Sequence, residues 1–148
     1  MPGKRPGDFY QSEGIAILGM SRKRKNFAWT IYGEFVKSGI PVYPVHPDGG
    51  EVRGVRFYDS VGAIPGKVDA AVLSMKAPKA VDLLPRLKAE GIRKIWFQQG
   101  SYDDSLLKKA DEHDFQTYTG CSVMFLPGAM WLHRLHRFFH ELVSKGKN

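Results

Sequence analysis

The chain has 148 residues, of which 43% are hydrophobic and 25% charged. This composition is typical of one soluble domain and excludes a disordered, collagen-like or coiled-coil chain. Its single cysteine, Cys121, allows no internal disulfide. No apolar run approaches the roughly 20 residues of a membrane span, and the first residues lack the apolar core of a signal peptide. We therefore expect a cytoplasmic protein with no membrane contact.

The net charge of +7 is concentrated at the two ends of the chain. Residues 1–25 contribute +4 and residues 129–148 contribute +3, whereas the segment between them is neutral. A uniformly basic surface would indicate nucleic-acid binding. This uneven distribution instead indicates local anion sites or solvated tails.

The predicted elements begin after a polar segment, residues 1–13, which its glycines and prolines predict to be a flexible basic arm. Short apolar runs then alternate with helical patterns, which is typical of βαβ units on a parallel sheet. The predicted main strands are residues 15–18, 40–45, 69–73, 94–97 and 115–119, with a short strand at 56–58. The predicted helices between them are residues 27–38, 78–90 and 103–113. This order predicts an α/β fold over residues 14–128, a doubly wound three-layer sandwich with a mainly parallel sheet of about five strands.

The C-terminal segment, residues 129–148, is predicted to be an amphipathic helix and tail. Apolar side chains recur at helical spacing over residues 130–143 and form one broad stripe. Because such a stripe is too apolar to remain in water, we expect it to cover the sheet or to build a homodimer interface.

The loop after the first strand is predicted to bind phosphate. In a doubly wound sheet the ligand lies beyond the carboxyl ends of the strands. Gly19 permits a tight turn there, and the Ser21 hydroxyl and the N–H groups that begin the next helix can bind an anion. Four successive cations, residues 22–25, would strengthen that binding. The alternative is a solvated basic loop.

This loop is not the usual dinucleotide fingerprint. Ser21 and Arg24 stand where Gly-x-Gly-x-x-Gly requires its second and third glycines. The second strand also lacks a terminal acid for a ribose, because Asp48 comes only after Pro47. NAD is therefore disfavoured, whereas NADP stays open because residues 22–25 could receive its 2′-phosphate.

Three motifs in register resemble one family. Gly19-Met20-Ser21, Val42-Tyr43-Pro44-Val45-His46-Pro47 and Trp96-Phe97-Gln98-Gln99-Gly100 follow the first, second and fourth main strands. Together they resemble the small CoA-binding-domain proteins, and residues 15–126 are similar to the nucleotide-binding domain of the succinyl-CoA synthetase α subunit. In that family the second segment commonly reads Tyr-Pro-Val-Asn-Pro, so His46 departs from it. The resemblance implies a Rossmann-like domain that binds coenzyme A or an acyl-CoA.

The same resemblance implies which residues bind the ligand. The phosphate loop contributes Gly19, Met20, Ser21, Lys23, Lys25 and Asn26. The residues implied at the adenine and its ribose are Val45, His46 and Pro47. Those implied at the pyrophosphate and the start of the pantetheine arm are Ser74, Met75, Lys76 and Pro78. Gln98 and Gly100 are implied near the far end of the ligand.

No catalytic constellation is visible in the sequence, which contains no Gly-x-Ser-x-Gly elbow, Walker loop or cysteine cluster. His136 and His140 have the spacing of helical zinc ligands, but Arg134 and Arg137 beside them would repel a cation, so we expect no metal. Cys121 lies in an apolar stretch and is expected to be inert packing. We therefore predict a non-catalytic binding or sensing protein.

Two other hypotheses stay open. The first is an enzyme: an NADP-dependent oxidoreductase, or one subunit of a CoA-transferring enzyme. The second is a nucleic-acid-binding protein that uses the basic ends of the chain. Salt-sensitive retention on DNA would indicate the second.

Overall fold

The structure is a computed structural model that describes residues 6–124 and residue 126. Within them, helices and strands alternate along the chain except over residues 50–63, where a two-stranded hairpin and a 3₁₀ turn intervene. In chain order they are α1 (Pro6–Tyr10), β1 (Ile15–Leu18), α2 (Phe27–Lys37), β2 (Val42–Val45), β3 (Gly50–Val52), β4 (Val55–Phe57), a 3₁₀ turn (Val61–Ala63), β5 (Ala70–Leu73), α3 (Ala77–Ala89), β6 (Lys94–Gln98), α4 (Asp104–Glu112) and β7 (Gln116–Gly120).

Five of these strands form one parallel sheet in the order β2-β1-β5-β6-β7. β1 is a central strand, since Ile15 pairs with Val42 on one side and with Ala70 on the other. The chain thus moves outward from β1 in both directions, which makes the gap between β1 and β5 the topological switch point. The predicted doubly wound α/β fold is confirmed.

Apolar clusters on the two faces of the sheet account for the three layers. Ile15 and Ile17 of β1 pack with residues of α1 and α2, whereas Ala16 and Leu18 pack with residues of α3 and α4. Every residue of β1 and β5 is buried. Burial on both faces explains why these strands read as continuous apolar runs rather than alternating ones.

The prediction of a flexible arm is wrong for residues 6–13. Residues 6–10 form α1, and Phe9 is fully buried. The ring of Phe9 lies edge-on to Trp96 and Tyr118, with centroids 5.4 and 5.3 Å away. α1 thereby shields aromatic side chains of β6 and β7 from water, a tertiary role that the polar composition of the segment conceals.

The predicted short strand is present in the structure, whereas both ends of the chain lie outside the described residues. The predicted strand at 56–58 corresponds to β4, which pairs antiparallel with β3 in a separate hairpin. Outside the described residues lie the first five residues of the predicted arm and the predicted C-terminal helix, residues 130–143. Within residues 6–124, no helix has the length and apolar character needed to cross a membrane.

Tyr118 on β7 makes the stability of the fold decrease at alkaline pH. Burial raises the pKa of its phenol, and the negative charge of Asp8 raises it further. The folded state therefore holds the phenolic proton more tightly than the unfolded chain does. This stabilisation is complete below the ordinary tyrosine pKa of about 10 and is lost as the pH rises through the higher pKa of the folded state.

Urea unfolding between about pH 9 and pH 11 tests this dependence. We expect the free energy of unfolding to fall across that range, and Tyr118→Phe to lessen the fall. Tyr102→Phe is the control, because it removes a phenol from an exposed side chain. The same pH profile in Tyr118→Phe and in the wild type would contradict the expectation.

Candidate functional site

A cleft of about 500 Å³ opens at the carboxyl ends of β1, β2 and β5 and extends along α3. Its volume lies within the range of about 300–1,000 Å³ that small-molecule sites occupy. It also lies at the switch point between β1 and β5, where open α/β sheets bind their ligands. Position and size together make it the candidate binding site.

The cleft brings together eight of the residues that the sequence predicts for ligand binding. They are Gly19, Met20, Ser21, Val45, His46, Pro47, Ser74 and Met75. They come from three separate segments, each of which follows a strand of the sheet. Seven other predicted residues do not line the cleft, namely Lys23, Lys25, Asn26, Lys76, Pro78, Gln98 and Gly100.

Gly19 lets the first segment pass close to the third. Its φ of +119° lies in the region that favours glycine. A Cβ at Gly19 would stand 2.7 Å from the carbonyl carbon of Ser74 and closer still to its oxygen. Only glycine therefore allows the end of β1 and the end of β5 to meet at the cleft.

Asn26 and Ser21 stabilise the loop between β1 and α2 from within. The Asn26 side chain donates to the carbonyl of Gly19 at 2.8 Å and accepts from the N–H of Ser21 at 3.3 Å. The Ser21 hydroxyl oxygen accepts from the N–H groups of Lys23 and Arg24 at 3.1 and 3.3 Å. Asn26 therefore supports the loop, and its implied contact with phosphate stays a prediction. The exposed Lys23 and Lys25 lie outside the cleft wall.

Arg22 extends from this loop toward the turn after β2. Its Nη1 lies 3.8 Å from the carboxylate of Asp48. Its Nε is buried and has no hydrogen-bond partner within the described part of the chain. A buried donor without a partner is costly, so this N–H is a candidate donor to an anionic group beside Ser21.

His46 takes a fixed orientation at the end of β2. Its backbone N–H donates to the carbonyl of Tyr58 at 2.9 Å. Its ring Nδ1 accepts from the N–H of Asp48 at 3.1 Å. Because Nδ1 is the acceptor, the proton of the neutral ring resides on Nε2. His46 thus contributes an imidazole to the cleft wall.

Gln98 and Trp96 have structural roles that the sequence did not predict. Gln98 is buried, and its Oε1 accepts from both the N–H and the hydroxyl of Ser122, at 2.9 and 2.8 Å. Trp96 Nε1 donates to the carbonyl of Gly120 at 3.0 Å. Side chains two residues apart share one face of a strand, so this motif holds the turn that follows β7.

The remaining predicted residues also lie at turns. Lys76 is the residue before α3, Pro78 occupies its first turn, and Gly100 follows β6 with a φ of +84°. Cys121 is buried in the apolar cluster that contains Phe9. Among the described residues there is no group of three side chains suited to bind a metal ion.

The sequence does not predict one wall of the cleft. α3 and its C-cap contribute Lys79, Asp82, Leu83, Arg86, Leu87 and Glu90, and the segment after β4 contributes Asp59, Ser60 and Val61. The α3 positions recur at three- and four-residue spacing, as expected of one helical face. The sequence contains this periodicity, but by itself it indicates only a helix face and not a wall of a ligand cleft.

Comparison with known proteins identifies the family. The model of the CoA binding domain family matches residues 13–127, so the chain belongs to that family. The α subunit of ADP-forming acetate–CoA ligase II from Pyrococcus furiosus is 38% identical over 66 residues, which are 44% of this chain and 14% of that subunit. A trans-feruloyl-CoA synthase from an unknown prokaryotic organism is 25% identical over 95 residues, 63% of this chain and 13% of the enzyme.

Solved structures share the fold. A hypothetical protein from Pyrococcus horikoshii superposes with a TM-score of 0.72 and 28% identity, over 85% of this chain and 94% of that protein. An acetyl-coenzyme A synthetase from Ca. Korarchaeum cryptofilum superposes with a TM-score of 0.61 and 22% identity, over 74% of this chain and 26% of the enzyme. The chain is thus a CoA-binding domain related to a small part of the much longer acetate–CoA ligases.

Proposed function

We propose that the cleft binds coenzyme A or an acyl-CoA, and that the chain is a cytoplasmic binding or sensing protein without chemistry of its own. The observation that carries this proposal is the cleft itself. Three separate segments line a single cavity at the switch point. Two of them, residues 19–21 and 45–47, belong to the motifs that resemble the family, and the third, residues 74 and 75, follows β5. Coenzyme A, when bound, would supply a thiol that carries acyl groups.

The polar groups at the β1 end of the cleft fit phosphates. Ser21 and Ser74 offer hydroxyl groups there, and the N-terminus of α3 begins beside Ser74. A helix N-terminus favours negative charge. The buried Nε of Arg22, which has no hydrogen-bond partner within the described residues, adds a further donor in the loop that contains Ser21. These groups would hold the pyrophosphate, and His46 would contact the adenine or its ribose.

The apolar part of the cleft fits the uncharged parts of the ligand. Leu18, Val45, Met75, Leu83 and Leu87 line it. A ring or an extended chain lying against these side chains would gain free energy from the apolar surface removed from water, about 25 cal/mol for each Å².

A second candidate function is a subunit of a CoA-transferring enzyme. The relatives favour it, because the segment matched in the Pyrococcus furiosus protein belongs to a subunit of an acetate–CoA ligase. In that case the chain would present the bound CoA to a partner protein that carries the catalytic residues. The apolar pattern in the sequence of residues 130–143 leaves contact with a partner or a homodimer as a prediction.

Isothermal titration calorimetry with CoA, acetyl-CoA, NADPH and a short DNA duplex tests the proposal. We expect heat of binding from the CoA species alone. Leu83→Trp should weaken CoA binding at least about tenfold by filling the cleft. Leu107→Trp is a matched control, because Leu107 is a half-buried leucine of the same apolar cluster and lies on α4, outside the cleft.

Three results would contradict the proposal. Binding of NADPH alone would place the chain among the oxidoreductases, and binding of DNA alone would place it among the nucleic-acid-binding proteins. Equal CoA affinity for Leu83→Trp and Leu107→Trp would show that CoA does not bind in the cleft.

A further inference from the structure

The outer side of β7 is one edge of the parallel sheet. The N–H of Gln116 donates to the carbonyl of Arg93 at 2.9 Å, on the side of β6. Because the backbone groups of successive residues in a strand point to opposite sides, those of Thr117 and Thr119 point away from β6. No hydrogen bond from residues 6–124 reaches them on that side. The edge therefore presents two N–H donors and two carbonyl acceptors.

The opposite edge of the sheet, β2, is protected from such pairing. The N–H of Tyr58 donates to the carbonyl of Pro44 at 2.9 Å, and the Tyr58 carbonyl accepts from the N–H of His46 at 2.9 Å. Pro44 itself has no N–H to offer. Proteins usually protect an exposed edge with proline, charged side chains, a bulge or a covering segment. β7 pairs with β6 over five successive residues without a bulge, and residues 116–120 include no proline and no charged side chain.

The sequence of β7 is self-complementary about Tyr118, because a threonine stands on each side of it. Antiparallel pairing about a twofold axis at Tyr118 places Thr117 opposite Thr119 of a second copy, and Thr119 opposite its Thr117. Both residues direct their N–H and C=O groups outward, so each pair exchanges two hydrogen bonds, as antiparallel ladders do at alternate positions. Opposed threonines add to the stability of a ladder. Gln116 then faces Gly120, which has no side chain to obstruct it.

We propose that β7 pairs antiparallel with β7 of a second copy of this chain, so that two five-stranded sheets join into one continuous sheet. A twofold contact of this kind closes after two copies and leaves neither β7 edge open to further chains. Thr117 and Thr119 do not line the cleft. The inference therefore goes beyond the proposed function and does not depend on it.

Sedimentation equilibrium of the full chain at a series of concentrations tests the proposal. We expect the mass to rise from 16.7 kDa toward twice that value as the concentration increases. The double variant Thr117→Lys/Thr119→Lys should weaken the dimer at least about tenfold, because it places like charges directly opposite each other in both pairs. The matched variant Thr117→Lys/Thr119→Glu should keep the dimer, because the same register places each lysine opposite a glutamate of the second copy.

Amide hydrogen exchange of the wild type gives a second readout that needs no substitution. Exchange at Thr117 and Thr119 should slow as the concentration rises, whereas exchange at Tyr118, whose N–H points toward β6, should not change.

Three results would overturn the inference. The first is a mass of 16.7 kDa at every concentration. The second is a dimer that the two-lysine variant leaves intact, because a different surface would then hold it. The third is equal loss of the dimer in both double variants, which would exclude the antiparallel register. CoA binding by both variants should equal that of the wild type, so failure of this inference and failure of the proposed function are distinguishable.

Discussion

Gly19→Ala is expected to destabilise the fold by about 3 kcal/mol and to abolish ligand binding, because it combines backbone strain with overpacking. The φ of +119° is unfavourable for any side chain, and the new Cβ would overlap the carbonyl of Ser74. Relief of that overlap requires the ends of β1 and β5 to move apart at the cleft. Urea unfolding measures the stability, and calorimetry with CoA measures the binding.

Gly33→Ala is the matched control for this substitution. Gly33 lies inside α2, and a Cβ there would meet nothing within 4 Å. Alanine in a helix interior is favoured over glycine by up to about 1 kcal/mol. We therefore expect Gly33→Ala to be neutral or stabilising. A Gly19→Ala variant as stable as the wild type would show that the segments do not meet as described.

Phe9→Ala is expected to cost about 3–5 kcal/mol, the usual loss for removal of a large buried aromatic side chain. Phe9 is fully buried and contacts Trp96 and Tyr118. A flexible arm would predict no effect, so chemical denaturation of this variant distinguishes the two descriptions of residues 6–13. Val36→Ala is the control, since Val36 is 51% exposed and should change stability by less than about 0.5 kcal/mol.

A Phe9→Ala variant with wild-type stability would contradict the packing of α1 on the sheet. Deletion of residues 1–13 should be at least as harmful as Phe9→Ala, because it also removes Tyr10, whose hydroxyl donates to the carbonyl of Ser122. A truncated chain would therefore be unsuitable for a test of whether the N-terminal charges bind nucleic acid.

The sequence is most informative where local pattern and tertiary burial agree. β1 and β5 are short continuous apolar runs, and both are buried throughout. Gly39 and Gly91 follow α2 and α3 with φ values of +73° and +94°, as expected of residues that end helices. Each of these signals depends on the backbone within a few residues, so a single sequence contains it.

The sequence is less informative where a role depends on which surfaces meet. α1 has only five residues and one buried side chain, so it shows no helical period. Alternation along β6 places Trp96 and Gln98 on one face, but only the folded chain places that face against the turn after β7. For the same reason, the sequence does not show that the Asn26 amide bonds to Gly19 and Ser21 within the loop.

The wall that α3 contributes to the cleft is another tertiary feature. Leu83 and Leu87 have the spacing of an ordinary core-facing helix, and only their approach to Val61 across the cleft makes them candidates for ligand contact. Glu90 is a similar case, because its partner Gly62 lies 28 residues earlier in the chain. No local pattern predicts such a pair.

Backbone amide chemical shifts recorded during a titration with CoA test the central claim most directly. If CoA binds in the cleft, the largest changes should occur at residues 19–21, at His46 and at Ser74 and Met75, with smaller changes along the exposed face of α4. Changes confined to the basic ends of the chain, or none at saturating CoA, would contradict the assignment of the cleft as a CoA site.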